Sequence, residues 1–426
     1  MQTAPKKVIR AWTMYDWANS AYSLVITTVI FPTYFTAIAP ERVQLFGRTF
    51  ERTPLASYTV ALSFLIIALI SPILSSIADY KGNKLAFMKF FCYLGSAACI
   101  GLTFLTKDTI PLGIFFSIIG SIGFAGSIVF YNAYLPEIAA EEDQDRISAK
   151  GFSMGYIGSV ILMAVCLAFI MANESMDLGW GDWPVRLAFL GVGLWWAGFA
   201  QITFRNLPPS IPSDQHPEHS IFVNGFYELR KVWDQLKHTP ATKRFLRSFF
   251  FYNMGVQTVM YMATYFAADE LGMKGSALII TLVIIQLVGV LGAIVFSRLS
   301  QRTSNLFTLG LIIMIWIGIC IGAYFVQTSL QFYILAFCVG MVMGGVQSLS
   351  RSTYSKLLPP TKDTASYFSF YDVSERVGTF LGTLAFGYVA ELLGMRYSVL
   401  ALMAFFIIGG VLLLFVDPKR RTFATR

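Results

Sequence analysis

The chain has 426 residues, of which 56% are hydrophobic and 13% are charged, and its mean hydropathy is +0.62. A soluble domain carries about 25% charged residues, so this composition excludes a soluble enzyme or a soluble binding module and indicates a polytopic membrane protein. The formal net charge of +8 would suit a nucleic-acid partner, but the positions of the basic residues give another explanation.

Twelve apolar stretches are each long enough to cross the roughly 30 Å of bilayer hydrocarbon, which takes about 20 helical residues. The first stretch is too long for a signal peptide and lacks a small-residue cleavage site, so we expect it to be retained. The sequence therefore predicts an all-α membrane protein. Its predicted spans 1 to 12 are residues 12–38, 55–79, 85–106, 111–134, 151–173, 184–206, 244–268, 274–299, 305–326, 330–357, 364–391 and 396–416.

The basic residues predict the orientation of these spans. With the N-terminus placed inside, 24 of the 32 Lys and Arg residues lie in or beside cytoplasmic segments, seven lie in or beside outer loops, and Arg376 lies within a span. Cytoplasmic loops of membrane proteins carry such an excess of positive charge. We therefore expect both termini to be cytoplasmic, and the net charge requires no nucleic acid.

A long polar segment divides the spans into two sets of six. It begins with the proline-rich stretch PPSIPSDQHPEH and continues as an amphipathic run with apolar residues at helical spacing. Two six-helix halves joined by a cytoplasmic linker resemble the layout of the major facilitator superfamily. The predicted domains are an N-terminal half, a linker with an amphipathic helix and a C-terminal half, at residues 1–206, 207–243 and 244–426.

An internal repeat supports this division. The segment YNAYLPEIAAEEDQDRISAKGFSMGYIG, which begins at Tyr131, has the same layout as RSTYSKLLPPTKDTASYFSFYDVSERVG, which begins at Arg351. Each runs from a tyrosine-bearing helix end through a proline and an acidic turn into a Phe-Ser helix start. In the same way, Tyr15-Asp16 in span 1 corresponds to Tyr252-Asn253 in span 7.

The loop after span 2, SSIADYKGNK, resembles the superfamily's signature G-x-L-a-D-x-x-G-x-K/R, with Asp79, Gly82 and Lys84 in register. Glycine would permit the tight turn, and the carboxylate would bond to neighbouring helix ends when the cytoplasmic side closes. An ordinary solvated turn is the alternative. The equivalent place in the second half, residues 297–304, has lost the acid, so we expect an asymmetric gate.

Span 1 carries polar residues where lipid would favour apolar ones. Asp16, Ser20, Ser23 and Thr27 repeat at helical spacing, and Asn19 borders the stripe. A charge at bilayer depth costs at least about 2.5 to 3.5 kcal/mol, so the stripe should face protein or a water-filled cavity. Alternatively, Asp16 only caps the helix or extends to the cytoplasmic interface.

Span 11 repeats this pattern at greater depth, with Asp372, Glu375, Arg376, Thr379 and Thr383 three or four residues apart. One hypothesis is that a carboxylate, Glu375 for example, exchanges a proton as the cavity alternates its opening, because desolvation favours the neutral form of a carboxyl. The alternative is an internally neutral pair of Asp372 with Arg376 that serves only gating.

Further polar residues in other spans are candidates to line a transport path. Arg351 in span 10 would pair with a carboxylate of span 11, bind an anionic group of a substrate, or contact phosphates of the inner leaflet. The uncharged candidates could equally serve only as contacts between helices. They are Tyr131 and Asn132 in span 4, Asn253, Gln257 and Tyr261 in span 7, and Gln347 in span 10.

Signatures of enzymes and metal sites are missing from the sequence. It has no Walker A loop, no HExxH and no nucleophile elbow, and its five cysteines lie in apolar stretches without CxxC spacing. His216, His219 and His238 all fall in the linker, where solvated surface positions are expected. We therefore predict no enzymatic activity, no cofactor, no bound metal and no disulfide.

Four motifs together resemble the family of the autophagy-related vacuolar effluxer and its bacterial relatives: MYDWANSAY, YNAYLPEIA, ISAKGFSMGYIGS and GGVQSLSRSTYSKLLP. The resemblance implies efflux of amino acids or short peptides. One position departs from the family pattern Y-x-D-G-x-x-T, because Met254 stands in the place of the acid. If that acid carries a coupling proton in relatives, this chain must couple through Asp16 or span 11, or must not use protons.

The sequence thus predicts a secondary transporter that moves a small polar solute by alternating access, with protons as a candidate coupling ion. We expect a monomer in the bilayer of a bacterial inner membrane. An exporter of lipids or amphipathic drugs is the nearest alternative, since 38 phenylalanines could line such a path. A non-transporting membrane sensor or scaffold is an alternative of another class.

Overall fold

The computed structural model describes residues 2–45, 47–177, 179–210, 221–273 and 275–417. A helix lies at each of the twelve predicted spans. In chain order these helices are α1 Lys6–Ile38, α2 Arg52–Lys81, α3 Lys84–Leu102, α4 Ile110–Ala133, α5 Gln144–Ser175, α6 Trp183–Asn206, α7 Pro240–Leu271, α8 Ser276–Arg302, α9 Asn305–Phe325, α10 Ser329–Leu357, α11 Thr364–Leu393 and α12 Met395–Leu414.

Hydropathy separates these helices into two groups. Nine of them, judged over the described residues, are long and apolar enough to cross a membrane. The other three are α2, α7 and α11, and the last of these carries the charged residues of span 11. Large apolar side chains are exposed on the bundle, for example Leu69, Phe115 and Met314, and such a surface suits lipid better than water.

Helix contacts in the first half are repeated in the second. Helix α1 packs against α5 and α6, and α7 packs in the same way against α11 and α12. Contacts between the halves are also paired, because α2 and α4 pack against α11 whereas α8 and α10 pack against α5. The weak repeat in the sequence therefore corresponds to a repeat in the packing.

Two elements lie outside the bundle. A short antiparallel hairpin, β1 Arg42–Leu45 and β2 Arg48–Glu51, follows α1 and pairs Val43 with Phe50. Gly47 has φ +76°, a conformation open to glycine. The hydropathy pattern did not indicate this hairpin, because it is short and polar. The second element is the predicted amphipathic helix of the linker, Ile221–His238, which we call the linker helix.

The linker helix contacts both halves, because it packs against α2 and α11. Val232 and Leu236 are buried, and Gln235 Oε1 accepts a hydrogen bond of 3.0 Å from the Tyr367 hydroxyl of α11. His216 and His219 lie outside the described residues, and His238 ends the helix. We call the end of the bundle where the linker helix lies, and where the odd-numbered helices begin, the linker end.

Candidate functional site

Arg351 of α10 inserts its side chain into the other half of the molecule and is only 2% exposed. Its guanidinium carbon lies 4.1 Å from the ring centre of Phe152, 4.9 Å from that of Trp12 and 5.4 Å from that of Tyr131. Cations are attracted to the faces of aromatic rings at such distances. Three rings of the N-terminal half thus surround a cation of the C-terminal half.

Polar groups of the same half complete this enclosure. Arg351 donates from Nε to the Ser148 hydroxyl and from Nη2 to the Ser148 carbonyl, each at 2.9 Å. It also donates from Nη1 to Asn132 Oδ1 at 3.2 Å, and both Nη atoms lie 3.4 Å from Asp16 Oδ2. The Tyr131 hydroxyl donates to the same carboxylate oxygen at 2.6 Å. We call this set of residues, Trp12, Asp16, Tyr131, Asn132, Ser148 and Phe152, the arginine box.

The arginine box corrects two sequence interpretations. Arg351 pairs with Asp16 of α1 and not with a carboxylate of span 11, because α10 meets the first half at this depth. Its burial also excludes contact with leaflet phosphates. Asp16 is 6% exposed and bonds to α4 and α10, so it neither caps α1 nor extends to the interface.

Gly151 of α5 forms one wall of the box. A Cβ atom at this position would overlap Asp16 Oδ2 and would lie 3.0 Å from both Arg351 Nη2 and the Tyr131 hydroxyl. The site therefore requires the close approach that glycine gives. Sequence reasoning noted the stretch GFSMGYIG as part of the repeat and of a family motif, but it missed this role.

Gly151→Ala is expected to destabilise the protein by about 1 to 3 kcal/mol, the usual cost of overpacking a tight core. Thermal unfolding in detergent measures the change. Gly198→Ala on α6 is a matched control, because no side-chain or neighbouring backbone atom lies within 4 Å of a Cβ there. Equal melting temperatures for the two variants would contradict the close packing of Gly151.

The predicted stripe on span 1 runs into a segment with a different helical period. Residues Tyr22–Ile30 of α1 are π-helical, and the Phe31 amide bonds to the Ile26 carbonyl five residues earlier. A wider turn changes which residues share a face. Ser20 is half-buried beside α5, Asn19 is buried and Ser23 is exposed, and their place on a transport path stays a prediction.

The charged residues of α11 form a second group, in which Asp372 and Arg376 are buried and Glu375 is half-buried. Arg376 Nη2 lies 3.2 Å from Asp372 Oδ1, so the predicted internal pair is present. Gln257 of α7 donates to Glu375 Oε1 at 3.3 Å. Counted from Thr364, Asp372 and Glu375 lie about 12 and 16 Å into the helix. Their roles in coupling or gating stay predictions.

The other predicted residues lie nearby on α1, α7 and α10. Asn253 is buried and Tyr261 is half-buried. Within the described part of the chain, the Asn19 and Asn253 side-chain amide nitrogens and Asp372 Oδ2 have no hydrogen-bond partner. Gln347 Oε1 accepts a hydrogen bond of 2.5 Å from the Tyr156 hydroxyl of α5. Sequence reasoning did not single out Tyr156.

The signature loop joins the two halves at the linker end, in a group that we call the first latch: Asp79, Lys84, Glu137 and Thr364. Asp79 accepts hydrogen bonds from the Ala365 and Ser366 amides at 3.2 and 2.7 Å. Lys84 pairs with Asp79 at 3.1 Å and also with Glu137, and it donates to the Thr364 hydroxyl at 2.7 Å.

The structure shows the expected turn of this loop but does not test its role as a gate. Gly82 has φ +63°, the left-handed conformation that the tight turn was expected to need. Asp79 bonds to a neighbouring helix start, which was the expected contact, because that start presents unpaired amides to an anion. That this loop acts as a gate stays a prediction.

A second latch joins the halves on the other side of the bundle. Asp145 at the start of α5 accepts from Lys356 Nζ at 2.7 Å, from Asn305 Nδ2 at 2.7 Å and from the Ser300 hydroxyl at 3.0 Å. In the repeat, Asp145 stands in the place of Ala365, and Ser300 belongs to the segment equivalent to the loop of Asp79. The acid missing from the second half's loop is therefore supplied by the facing helix.

At the end of the bundle opposite the linker end, the polar contacts of Glu270 and Tyr34 each lie within one half and do not join the halves. There, Glu270 of α7 pairs with Arg396 of α12 at 2.7 Å, within the C-terminal half. The Tyr34 hydroxyl donates to the Leu105 carbonyl at 3.2 Å, within the N-terminal half. Both latches and the arginine box join the halves near the linker end, so this structure is a state closed at that end.

Two solved structures share this fold. An outward-conformation crystal structure of the major facilitator superfamily transporter FucP matches with a TM-score of 0.72 at 15% identity, covering 96% of this chain and 98% of FucP. The proton:xylose symporter XylE, bound to 6-bromo-6-deoxy-D-glucose, matches with a TM-score of 0.72 at 12% identity, covering 96% and 95%. The predicted fold class is confirmed.

Sequence comparisons identify relatives over almost the whole length. The uncharacterized MFS-type transporter YxiO of Bacillus subtilis is 34% identical over 97% of this chain and 95% of its own. Autophagy-related protein 22 of Coccidioides immitis is 24% identical over 89% of this chain and 75% of its own. The family model described as "Vacuole effluxer Atg22 like" matches residues 4–424. This chain belongs to the vacuole effluxer Atg22-like family.

Proposed function

We propose that this MFS-type transporter exports a small polar solute by alternating access, with amino acids or short peptides as the preferred class. The observation that carries the proposal is the charged group on α11, where Asp372, Glu375 and Arg376 lie within a bundle otherwise rich in apolar side chains. Buried charges at this depth are costly and usually mark a transport path. Opposite charges this close suit a zwitterion, whose carboxylate and ammonium need one partner each.

Features of the whole chain support the direction of transport and the orientation of the protein in the membrane. The family description as a vacuole effluxer supports export. The basic residues concentrated at the linker end support a cytoplasmic location for that end and for both termini. The protein would then act as a monomer in a bacterial inner membrane, and solute would enter from the linker end in the state opposite to this structure.

Flux into proteoliposomes tests the substrate class. We expect purified protein to move labelled neutral or charged amino acids, and Arg376→Gln to reduce that flux by about tenfold or more, a barrier change of about 1.4 kcal/mol. Arg396→Gln is the matched control, because Arg396 pairs with Glu270 away from the α11 group. Transport of fluorescent lipids without any amino acid would overturn the proposal in favour of a lipid exporter.

The two alternatives have less support. An apolar cavity between α7, α10 and α11, lined by Val259, Phe266, Phe332 and Phe386, measures about 50 Å³. Its lining comes from the C-terminal half alone, so the cavity does not lie between the halves and lends no support to a lipid path. A sensor or scaffold would need no buried charges, and it predicts that Glu375→Gln leaves activity unchanged.

A further inference from the structure

The arginine box is a cation-binding site made by one half alone. Its six residues come from α1, α4 and α5 of the N-terminal half, and the C-terminal half contributes only the cation. Aromatic faces with a carboxylate and a carbonyl oxygen are the groups by which proteins bind ammonium and guanidinium ligands. The site would keep its ligands if Arg351 left it.

Alternating access requires Arg351 to leave. When the halves separate at the linker end, α10 moves away from α5 and withdraws the guanidinium from the box. Asp16 then keeps the Tyr131 hydroxyl as a donor but loses its cation. A buried carboxylate without a counter-charge is costly, so the open state favours entry of another cation from the solution at that end.

We propose that the box binds the cationic group of the transported solute in the state open at the linker end, and that Arg351 is a tethered competitor for the same place. This inference rests on the proposed function and deepens it. The solute class is then a guanidino or amino compound, such as arginine or agmatine. Closure returns Arg351 to the box and displaces the solute toward the deeper acidic residues of α11.

The geometry favours a planar guanidinium over a compact ammonium. Arg351 directs its three nitrogens at four oxygen atoms, on Ser148, Asn132 and Asp16, while Phe152 and Trp12 cover its faces. An ammonium has no planar face to stack and fewer donors. We therefore expect agmatine to bind more tightly than an alkyl diamine of similar length, and leucine to bind the box weakly.

Binding to a vacated box is the first test. Purified full-length Arg351→Ala is titrated with agmatine and with methylguanidinium, and thermal stabilisation is measured against sodium chloride at equal ionic strength. We expect binding at least tenfold tighter than in the double variant Arg351→Ala, Asp16→Asn. Arg396→Ala serves as the control for loss of an arginine and should resemble the wild type. Equal binding by the single and double variants, or no binding, overturns the site.

A second measurement uses the wild type and does not depend on the folding of any variant. Uptake of labelled arginine and of labelled leucine is measured in proteoliposomes, with methylguanidinium as competitor. We expect arginine to move and methylguanidinium to inhibit it competitively. Transport of leucine but not of any cationic solute would overturn this inference and leave the proposed function standing. If neither solute moves, the amino-acid proposal itself fails, whatever the vacated box binds.

Discussion

Glu375→Gln is expected to reduce flux driven by a pH gradient by about tenfold or more, while solute exchange without a gradient continues. Asp372 is paired with Arg376, whereas Glu375 accepts a hydrogen bond from the neutral amide of Gln257. A proton can leave or join Glu375 without breaking the Asp372 to Arg376 pair. Protonating Asp372 would remove the charge that pairs with the buried guanidinium of Arg376, and weakening a buried ion pair is costly. Glu375 is therefore the better proton carrier of the two.

The measurement is uptake into proteoliposomes with and without an imposed pH gradient. We expect gradient-driven uptake to fall by about tenfold or more in Glu375→Gln, about 1.4 kcal/mol in the barrier, and counterflow to keep most of its rate. Glu391→Gln is a matched control, because Glu391 lies on the same helix but is exposed. Full gradient-driven uptake in both Glu375→Gln and Asp16→Asn would show that neither acid is an obligatory carrier.

Hydropathy predicted the helices well because a bilayer imposes a strict physical requirement. Each crossing must satisfy its backbone hydrogen bonds internally, so the spans are long, apolar and helical. The same reasoning did not predict the π-helical segment of span 1, since it assumed an unbroken α-helical period. The π-helical segment Tyr22–Ile30 satisfies the backbone equally well but rotates the later residues.

Contacts between the halves were harder to predict, because they depend on packing rather than on local pattern. Asp16 and Arg351 were each singled out as candidates for the transport path, but nothing in the spacing of the two residues pairs them across the halves. Asp145 was missed for a related reason. It follows the acidic run EED, which resembles a solvated turn, and its partners come from α8, α9 and α10.

The repeat explains how the second latch forms although residues 297–304 lack the acid that Asp79 supplies in the first half. Equivalent segments meet in both latches, the loop of Asp79 with the helix start at Ala365 in one and the segment of Ser300 with the helix start at Asp145 in the other. A carboxylate can therefore stand on either side of the contact. In the first latch it bonds to backbone amides of a helix start, and in the second it bonds to side chains and Lys356.

Removing both latch carboxylates is expected to open the linker end, whereas removing one is not. Asp79 and Asp145 are each about 1% exposed. Asp145 pairs with Lys356 across the halves, and breaking such a buried ion pair costs about 3 to 5 kcal/mol. Asp79 pairs with Lys84 of its own half, so across the halves Asp79→Asn loses only the charge that strengthens the hydrogen bonds from the Ala365 and Ser366 amides, about 3 kcal/mol in all. Shifting a two-state equilibrium from 1:99 to 99:1 takes about 5.5 kcal/mol. The two latches share no residue, so their costs should add. Together they exceed that threshold, and neither reaches it alone.

Spin labels at Arg146 and Arg302 report the separation, because both residues are exposed and flank the second latch on opposite halves. We expect a longer distance in the double variant Asp79→Asn, Asp145→Asn, and a minor population of it in each single variant. Asp234→Asn is the control, since Asp234 pairs with Lys237 on the surface of the linker helix. An unchanged distance in the double variant would mean that the arginine box alone holds the halves together, and the added variant Arg351→Ala should then open them.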